Sequence, residues 1–299
     1  MDIAKLSEDV GKALASRHNK SALFPPALPG LGLLEFSERS EFQAAIYNPV
    51  ACLILQGEKQ VAVGGQSVTI GPGQSLIVGH DLPVRSRITK ADHKNPYRAM
   101  IFALDLEVLR SLYDQVDANA ARKGDNDVLG VGQTQPELID ALGRYLALAA
   151  RPSDTKVMAP LILREIHYRL LLAPHGGMLR RLLRRDSHAS RVGLAIEHIR
   201  KNFRSRIAVS VLADIAGMSP SSFHDHFRSV TETTPLQFQK DLRLVESRRL
   251  LAEHRLPVSS VAFEVGYESP TQFSREYARK FGVPPKEHVG KIATAPEYT

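Results

Sequence analysis

Histidines and a lone cysteine are the side chains in this sequence that could bind a metal ion or act as a nucleophile. His80 and His93 have no His-x-His pair and no carboxylate at the spacing that metal-binding barrels use, so we expect no metal site and no cofactor. His224 and His226 lie two positions apart in a predicted helix, where their side chains diverge by about 200° and cannot share an ion. Cys52 lies in an apolar run, which favours a buried packing residue over a reactive thiol.

The sequence also lacks the short motifs of common enzyme classes. It contains no nucleophile-elbow Gly-x-Ser-x-Gly, no Walker loop and no dinucleotide-binding fingerprint. We therefore expect a protein that is not an enzyme. The alternative is a metal-dependent enzyme built on the β-rich N-terminal half.

The C-terminal part of the sequence contains a repeated segment. The first repeat, VSVLADIAGMSPSSFHDHFRSV, covers 209–230, and the second repeat, VSSVAFEVGYESPTQFSREYARKF, covers 258–281. Similarity at an offset of 49 to 50 positions indicates two copies of one supersecondary unit. The recurring residues are Ala213, Gly217, Ser219, Pro220, Phe223 and Phe227 in the first repeat and Ala262, Gly266, Ser269, Pro270, Phe273 and Tyr277 in the second.

Each repeat predicts a helix-turn-helix. The alanine lets two helices cross closely, and the glycine takes the left-handed turn between them. The serine caps the second helix and the proline occupies its first turn. Aromatic residues four positions apart then form a core-facing stripe, which leaves polar side chains on the other face. These polar side chains are Ser221, His224, Asp225 and Arg228 in the first repeat and Thr271, Gln272, Ser274 and Arg275 in the second.

The segment between the repeats, 235–254, predicts one bridging helix of about 19 residues, near 28 Å long. Recognition helices at its two ends would lie close to the ~34 Å that separates successive major-groove segments on one face of DNA. Arg243, Arg248 and Arg249 on this helix are candidate phosphate contacts, with plain surface solvation as the alternative. The spacing therefore predicts that one chain can read two adjacent grooves.

The composition favours an anionic binding partner. It also favours a reducing compartment for the chain. Lys and Arg number 39 against 32 Asp and Glu, giving a formal net charge of +7. A single cysteine cannot form an intramolecular disulfide, so a cytoplasmic protein is expected. Charges interrupt the first residues, which excludes a signal peptide, and no apolar run approaches the ~20 residues that span a bilayer. We expect no membrane association.

Proline and glycine residues between the apolar segments divide the chain into five parts. Short Val-, Ile- and Leu-rich runs between glycine turns predict antiparallel strands in a small barrel or sandwich. Apolar spacing predicts helices over 135–150 and 156–173. The parts are an amphipathic helix (1–22), a strand-rich domain (23–110), a helical segment (111–174), a linker (175–188) and a helical domain (189–299) with its helix-turn-helix motifs at 209–230 and 258–281.

The motifs LADIAGMSPSSFHDHFRSVTETTPLQF, RLVESRRLLAEH and VAFEVGYESPTQFSREYARKFGVPP resemble the AraC/XylS family of bacterial transcription regulators. FPPALPGLGLLEFSERSE and PVACLILQGEKQVAVGG are similar to the cupin-type sensor domain of one branch of that family. The resemblance implies an α+β chain. Its parts would be an N-terminal cupin-like antiparallel β-barrel, a helical dimerisation segment and a C-terminal all-α domain with two helix-turn-helix motifs.

The same resemblance implies a cytoplasmic homodimer that binds double-stranded promoter DNA. Its sensor would bind a small-molecule effector, and relatives more often activate transcription through RNA polymerase than repress it. By position, the base-reading sites fall on Ser221, His224, Asp225, Thr271, Ser274 and Arg275. Arg275 is the strongest candidate, because arginine can pair with guanine O6 and N7. A regulator whose N-terminal domain senses nothing and only dimerises is the other alternative.

Overall fold

The structure is a computed structural model in which two antiparallel sheets precede an all-helical domain. The strands are β1 (Ala22–Leu23), β2 (Leu31–Phe36), β3 (Gln43–Tyr47), β4 (Val50–Gln56), β5 (Glu58–Val63), β6 (Gln66–Ile70), β7 (Gln74–Val78), β8 (Leu82–Lys90), β9 (Tyr97–Ala103) and β10 (Gly130–Gln133). The residues described are 1–15, 22–23, 25, 27–116, 128–184, 186–253 and 256–288.

The described strands form two separate sheets, so the expected closed barrel is not confirmed. One sheet has the order β1-β2-β9-β4-β7-β10 and the other the order β3-β8-β5-β6. Among the glycine turns between strands, the one at Gly64-Gly65 joins two neighbouring strands of one sheet, β5 and β6. The turns at Gly57 and Gly73, both with positive φ, instead carry the chain from one sheet to the other. The result is a sandwich, because the strand order switches sheets at these turns.

The central strand β4 is buried on both faces. Its alternate residues Val50, Cys52 and Ile54 lie in the core between the two sheets. Ala51, Leu53 and Leu55 point the other way into a second core, formed with helices packed on the outside of the larger sheet. The domain therefore has three layers: helices, a six-stranded sheet and a four-stranded sheet.

The outer layer contains helices α1 (Ile3–Ala15), α2 (Leu106–Tyr113), α3 (Pro136–Ala147), α4 (Pro152–Leu172) and α5 (Gly177–Leu183). The amphipathic helix α1 buries Leu6, Val10 and Leu14 against the sheet. Two features were not predicted. Strand β10 pairs with β7 inside the segment predicted to be helical, 111–174. Helix α5 lies inside the predicted linker, 175–188, because its apolar residues pack into the outer core.

The C-terminal domain contains α6 (His188–Asn202), α7 (Val209–Ile215), α8 (Pro220–Thr231), α9 (Pro235–Ala252), α10 (Val258–Glu264), α11 (Pro270–Phe281) and α12 (Pro285–His288). Helix α9 is the predicted bridging helix, and it serves two cores. Phe238 and Leu242 belong to the core of α6, α7 and α8. Leu244 and Leu251 belong to the core of α10 and α11. Among the described helices, none has both the length and the apolar character that crossing a bilayer requires.

Candidate nucleic-acid interface

Both repeats fold as helix-turn-helix units. In the turns, Gly217 and Gly266 have φ of 61° and 90°, the left-handed region that favours glycine. A Cβ on Gly266 would lie 2.0 Å from the carbonyl oxygen of Arg204, so only glycine fits there. The hydroxyls of Ser219 and Ser269 each accept a hydrogen bond of 3.3 Å from the backbone N–H three residues later, and a proline follows each serine. The predicted caps are confirmed.

The aromatic stripes of α8 and α11 face inward, as predicted. Phe223 and Phe227 are fully buried in the first core, where Phe227 meets Phe238 edge to face with ring centroids 5.6 Å apart. Phe273 and Tyr277 are fully buried in the second core. Because the apolar sides of both helices are buried, their polar sides face outward.

The predicted contact residues lie together on these outward faces. Seven of the eight are exposed, and Ser274 is half-buried. The exposed residues are Ser221, His224, Asp225 and Arg228 on α8 and Thr271, Gln272 and Arg275 on α11. The charges differ between the two faces: α8 presents one acid and one base, whereas α11 presents Arg275 followed one turn later by Arg279, also exposed.

Within the described residues Arg275 makes no ion pair. Its neighbour Glu276 points inward, where it accepts hydrogen bonds from Lys240 (3.0 Å), Tyr267 (2.9 Å) and Gln272 (3.1 Å). Burial alone would raise the pKa of Glu276, but these hydrogen bonds outweigh it and lower that pKa below its usual value. Arg275 therefore forms no ion pair with Glu276. The side-chain amide of Gln272, by contrast, donates one hydrogen bond to that buried carboxylate.

The Arg243 guanidinium is bonded to backbone carbonyls of its own domain, so it is not left open for a phosphate contact. Its Nε donates to the carbonyl of Phe203 (2.7 Å) and its Nη1 to the carbonyl of Gly266 (2.8 Å). Burial lowers the pKa of the Arg243 guanidinium. The residue ties the loop after α6 to the turn of the second repeat. Sequence reasoning missed this role, because the bonded carbonyls are distant in sequence.

Arg248 and Arg249 stay near the surface of α9. The Arg248 guanidinium lies 5.2 Å from the ring centroid of Phe281. Arg249 pairs with Glu246 and Glu253 on its own helix. Their predicted phosphate contacts stay predictions.

His224, His226 and Cys52 lie in different surroundings. His226 stacks on His188 of α6, with ring centroids 3.7 Å apart, while His224 is exposed. Burial raises the pKa of the Cys52 thiol, which disfavours the reactive thiolate. Among the described residues, no group of three or more potential ligands could hold a metal ion.

The N-terminal domain contacts the first repeat directly. His80, after β7, donates through Nε2 to the carbonyl of Val230 in the last turn of α8 (3.1 Å). Next to it, Asp81 pairs with Arg200 of α6 at 3.4 Å. Burial lowers the pKa of His80 to about 4, so the imidazole is neutral at pH 7. Sequence analysis assigned no role to these residues, because neither belongs to a motif.

Family comparisons agree with both halves of the structure. A family profile for the AraC-type transcriptional regulator N-terminus matches residues 27–178, and a helix-turn-helix domain profile matches residues 212–290. The first match alone covers more than half of the chain. The chain therefore belongs to the AraC-type transcriptional regulators, as the motifs predicted.

Individual relatives are regulators as well. The RCS-specific HTH-type transcriptional activator RclR of Escherichia coli strain K12 is 37% identical over 102 residues, which are 34% of this chain and 36% of RclR. The thermoregulatory protein LcrF of Yersinia pestis is 22% identical over 247 residues, 81% of this chain and 89% of LcrF. The chain spans little more than a third of the length of the first two curated relatives, RclR and the probable transcriptional regulator LumQ of Photobacterium leiognathi.

Solved structures of ToxT from Vibrio cholerae share the fold. ToxT of strain SCE256 with a bound unsaturated fatty acid is similar over 94% of this chain and 99% of ToxT, with a TM-score of 0.58 and 12% identity. ToxT of strain O395 gives a TM-score of 0.55 and 11% identity over 89% of this chain and 99% of ToxT. At this identity the likeness shows the fold alone: an N-terminal antiparallel β-sheet domain followed by an all-helical domain.

Proposed function

We propose that this chain binds double-stranded promoter DNA in a sequence-specific way and regulates transcription. The observation that carries the proposal is the placement of two helix-turn-helix units at the ends of one bridging helix, each with its polar face outward. Helix α9 has 18 residues, about 27 Å of rise, close to the spacing of adjacent major-groove segments.

In this proposal α8 and α11 are the recognition helices. Arg275 reads a guanine through paired hydrogen bonds, a contact worth ~1–3 kcal/mol of discrimination. Thr271, Gln272 and Ser274 flank it, at positions where serine, threonine and glutamine side chains contact phosphates or bases. On α8, Ser221, His224 and Arg228 make the corresponding contacts, and Asp225 can only accept, for example from cytosine N4.

The N-terminal domain is proposed to be the sensor. Support comes from the family match over residues 27–178 and from its contacts with the first repeat at His80 and Asp81. ToxT, which shares the fold, was solved with a fatty acid bound. A small-molecule effector in this chain would act by binding two arrangements of the domains with different affinity.

The proposal includes a homodimer formed through helix α4. Val157, Met158, Leu161 and Tyr168 leave an exposed apolar stripe on this helix, with Val157 66% and Leu161 58% exposed. Such a stripe fits an isologous interface, in which the same patch of both subunits meets. We further propose a cytoplasmic regulator that has no enzymatic activity and activates transcription with RNA polymerase as partner. The naming of RclR as an activator supports the direction of regulation.

Selection of duplexes from a random library by the full-length chain tests the proposal, because the operator sequence emerges from the selection itself. We expect an enriched site whose affinity falls steeply as salt rises, since phosphate contacts release counterions. Absence of any enriched sequence would refute sequence-specific binding.

Light scattering at micromolar concentration, with Leu161→Glu as the matched variant, tests the homodimer. A wild-type monomer would refute it.

A further inference from the structure

A cavity lies where the N-terminal domain, helix α5 and the first repeat meet. It has a volume of about 660 Å³, within the range of small-molecule sites. His80 lines it from the sheet domain and Leu182 from α5. His188 lines it from the start of α6 and Val230 from the end of α8. An occupant of this cavity would therefore contact a recognition helix and the sheet domain at once.

The cavity adjoins the hydrogen bond that joins these two domains. The carbonyl of Val230 is bonded to Nε2 of His80 at 3.1 Å, and both residues belong to the wall. Glu232, at the C-cap of α8, also lines the wall and packs against Gly64 of the β5-β6 turn. A molecule that enters here changes the contacts at the end of α8 without contacting the DNA-facing side.

The wall has an apolar side formed by four residues from different elements. These residues are Val128, Met178, Leu182 and Ala189. Their side chains carry no hydrogen-bonding group other than the weak acceptor sulfur of methionine. This side of the cavity suits a hydrocarbon or aromatic body rather than a sugar or a free ion.

Among the charged residues of the wall, one arginine is left without an ion pair to the described residues. Arg181 and Arg184 come from α5 and the residue after it, and Arg184 is exposed and makes no ion pair with the described residues. Of the two acids in the wall, Asp186 pairs with Arg191 at 3.7 Å, and its side chain is 89% exposed. The Glu232 side chain lies against Gly64. The Arg184 guanidinium is thus available to a negatively charged group.

We propose that this interdomain cavity is the effector site and that it takes a small organic carboxylate with an apolar body. The carboxylate pairs with Arg184, and the body packs against Met178 and Leu182. Binding there changes the docking of the sheet domain on α8 and hence the affinity for DNA. This inference rests on the proposed function, because it assigns the site through which that function is regulated.

Calorimetry with two probes tests the site. The probes are 4-phenylbutyrate and its neutral counterpart 4-phenylbutanamide, titrated into the full-length chain. We expect saturable binding of the acid and at least tenfold weaker binding of the amide. Arg184→Gln should weaken binding of the acid at least fivefold, and Ala189→Phe should block the cavity. Arg39→Gln, the same change at an exposed arginine outside the cavity, should bind like the wild type.

The outcomes separate this inference from the proposed function. If no saturable binding of either probe is seen, if acid and amide bind equally, or if neither cavity variant weakens binding, the cavity is not a carboxylate site. Selected DNA would then still be bound by the unliganded chain, and the proposed function would stand. If binding occurs as expected, saturating 4-phenylbutyrate should also shift DNA affinity in wild type but not in Arg184→Gln at the same probe concentration. Loss of DNA binding in every protein would instead refute the proposed function.

Discussion

The two helix-turn-helix repeats follow the same local rules but are supported differently. The second repeat is tied by buried polar contacts within its own domain: Glu276 accepts from Lys240 and Tyr267, and Arg243 donates to backbone carbonyls. The first repeat is tied to another domain, through the His80 hydrogen bond to the last turn of α8. The second repeat meets that domain through packing of α11 on strand β3.

This difference indicates that the two repeats have different roles in DNA binding. A repeat supported from within keeps its shape whatever the sensor does, and α11 also has the more positive outward face. A repeat whose recognition helix is bonded to the sensor can be repositioned by it. The second repeat is therefore expected to supply most of the affinity for DNA. The first repeat is expected to supply the part of that affinity that the sensor regulates.

The largest expected effect comes from Arg243→Met, which removes the internal support of the second repeat. The guanidinium donates to four backbone carbonyls, those of Phe203, Arg204, Ser205 and Gly266, and each lost hydrogen bond costs ~1 kcal/mol. We expect the free energy of unfolding to fall by about 4 kcal/mol, measured by urea denaturation. Arg249→Met on the same helix removes the surface ion pairs with Glu246 and Glu253 and should cost under ~1 kcal/mol. Equal losses would contradict the assigned roles.

The next effect is a pH dependence of the contact between the sensor and the first repeat. The pKa of His80 falls from 6.5 to about 4 on burial. Between these values the unfolded or undocked state binds a proton that the native state does not, so stability decreases as pH falls from 6.5 to about 4. At 1.36 kcal/mol per unit the loss approaches about 3 kcal/mol.

His80→Gln isolates this contribution, because glutamine can donate to the Val230 carbonyl but does not titrate. Stability of both proteins should be followed by urea denaturation from pH 7.5 to 4.5, since other groups titrate in each. The stability of the wild type should decrease more steeply than that of the variant. Parallel curves would show that His80 is not buried in the contact.

A smaller effect, on DNA recognition, compares the two outward faces. Arg275→Ala should lose ~1–3 kcal/mol of preference for one base, because paired hydrogen bonds to guanine are removed. Arg228→Ala on α8 should weaken binding of all sequences more evenly and reduce the salt dependence. Competition between selected duplexes with single base changes measures both. An unchanged preference profile in Arg275→Ala would contradict its assignment.

The smallest effect compares two glycines with nearly the same backbone conformation. Gly64 has φ of 59° and Gly217 has φ of 61°, so alanine is strained at both positions by ~1 kcal/mol. A Cβ on Gly217 meets nothing within 4 Å, whereas one on Gly64 would lie 2.8 Å from Cβ of Glu232. Gly64→Ala should therefore cost about 1 kcal/mol more than Gly217→Ala in thermal denaturation. Equal costs would show that Gly64 does not contact the first repeat closely.

The sequence was most informative where local rules and packing agree. Ser-Pro caps, turn glycines and aromatic spacing predicted both helix-turn-helix units because each signal depends on residues a few positions apart. In the apolar run VACLILQ, 50–56, the sequence does not mark which face of the strand points inward. The structure explains this: both faces are buried, so no alternation exists to be detected.

The roles of three polar residues were not predictable from local pattern. Arg180 belongs to a segment that looks like a solvated basic linker, yet its guanidinium is buried and donates to the carbonyls of Leu171 and Ala173. Arg243 and His80 likewise bond to carbonyls far along the chain. Because a backbone carbonyl carries no sequence signature, such partners are visible only once the chain is folded.

Chemical footprinting on the selected duplex tests the central claim most directly. If α9 holds two recognition helices one groove apart, a single chain should protect two major-groove segments about 10 base pairs apart on one face of the helix. Arg275→Ala should weaken protection of one segment more than of the other. Protection of only one segment per chain, or two segments on opposite faces, would contradict the account.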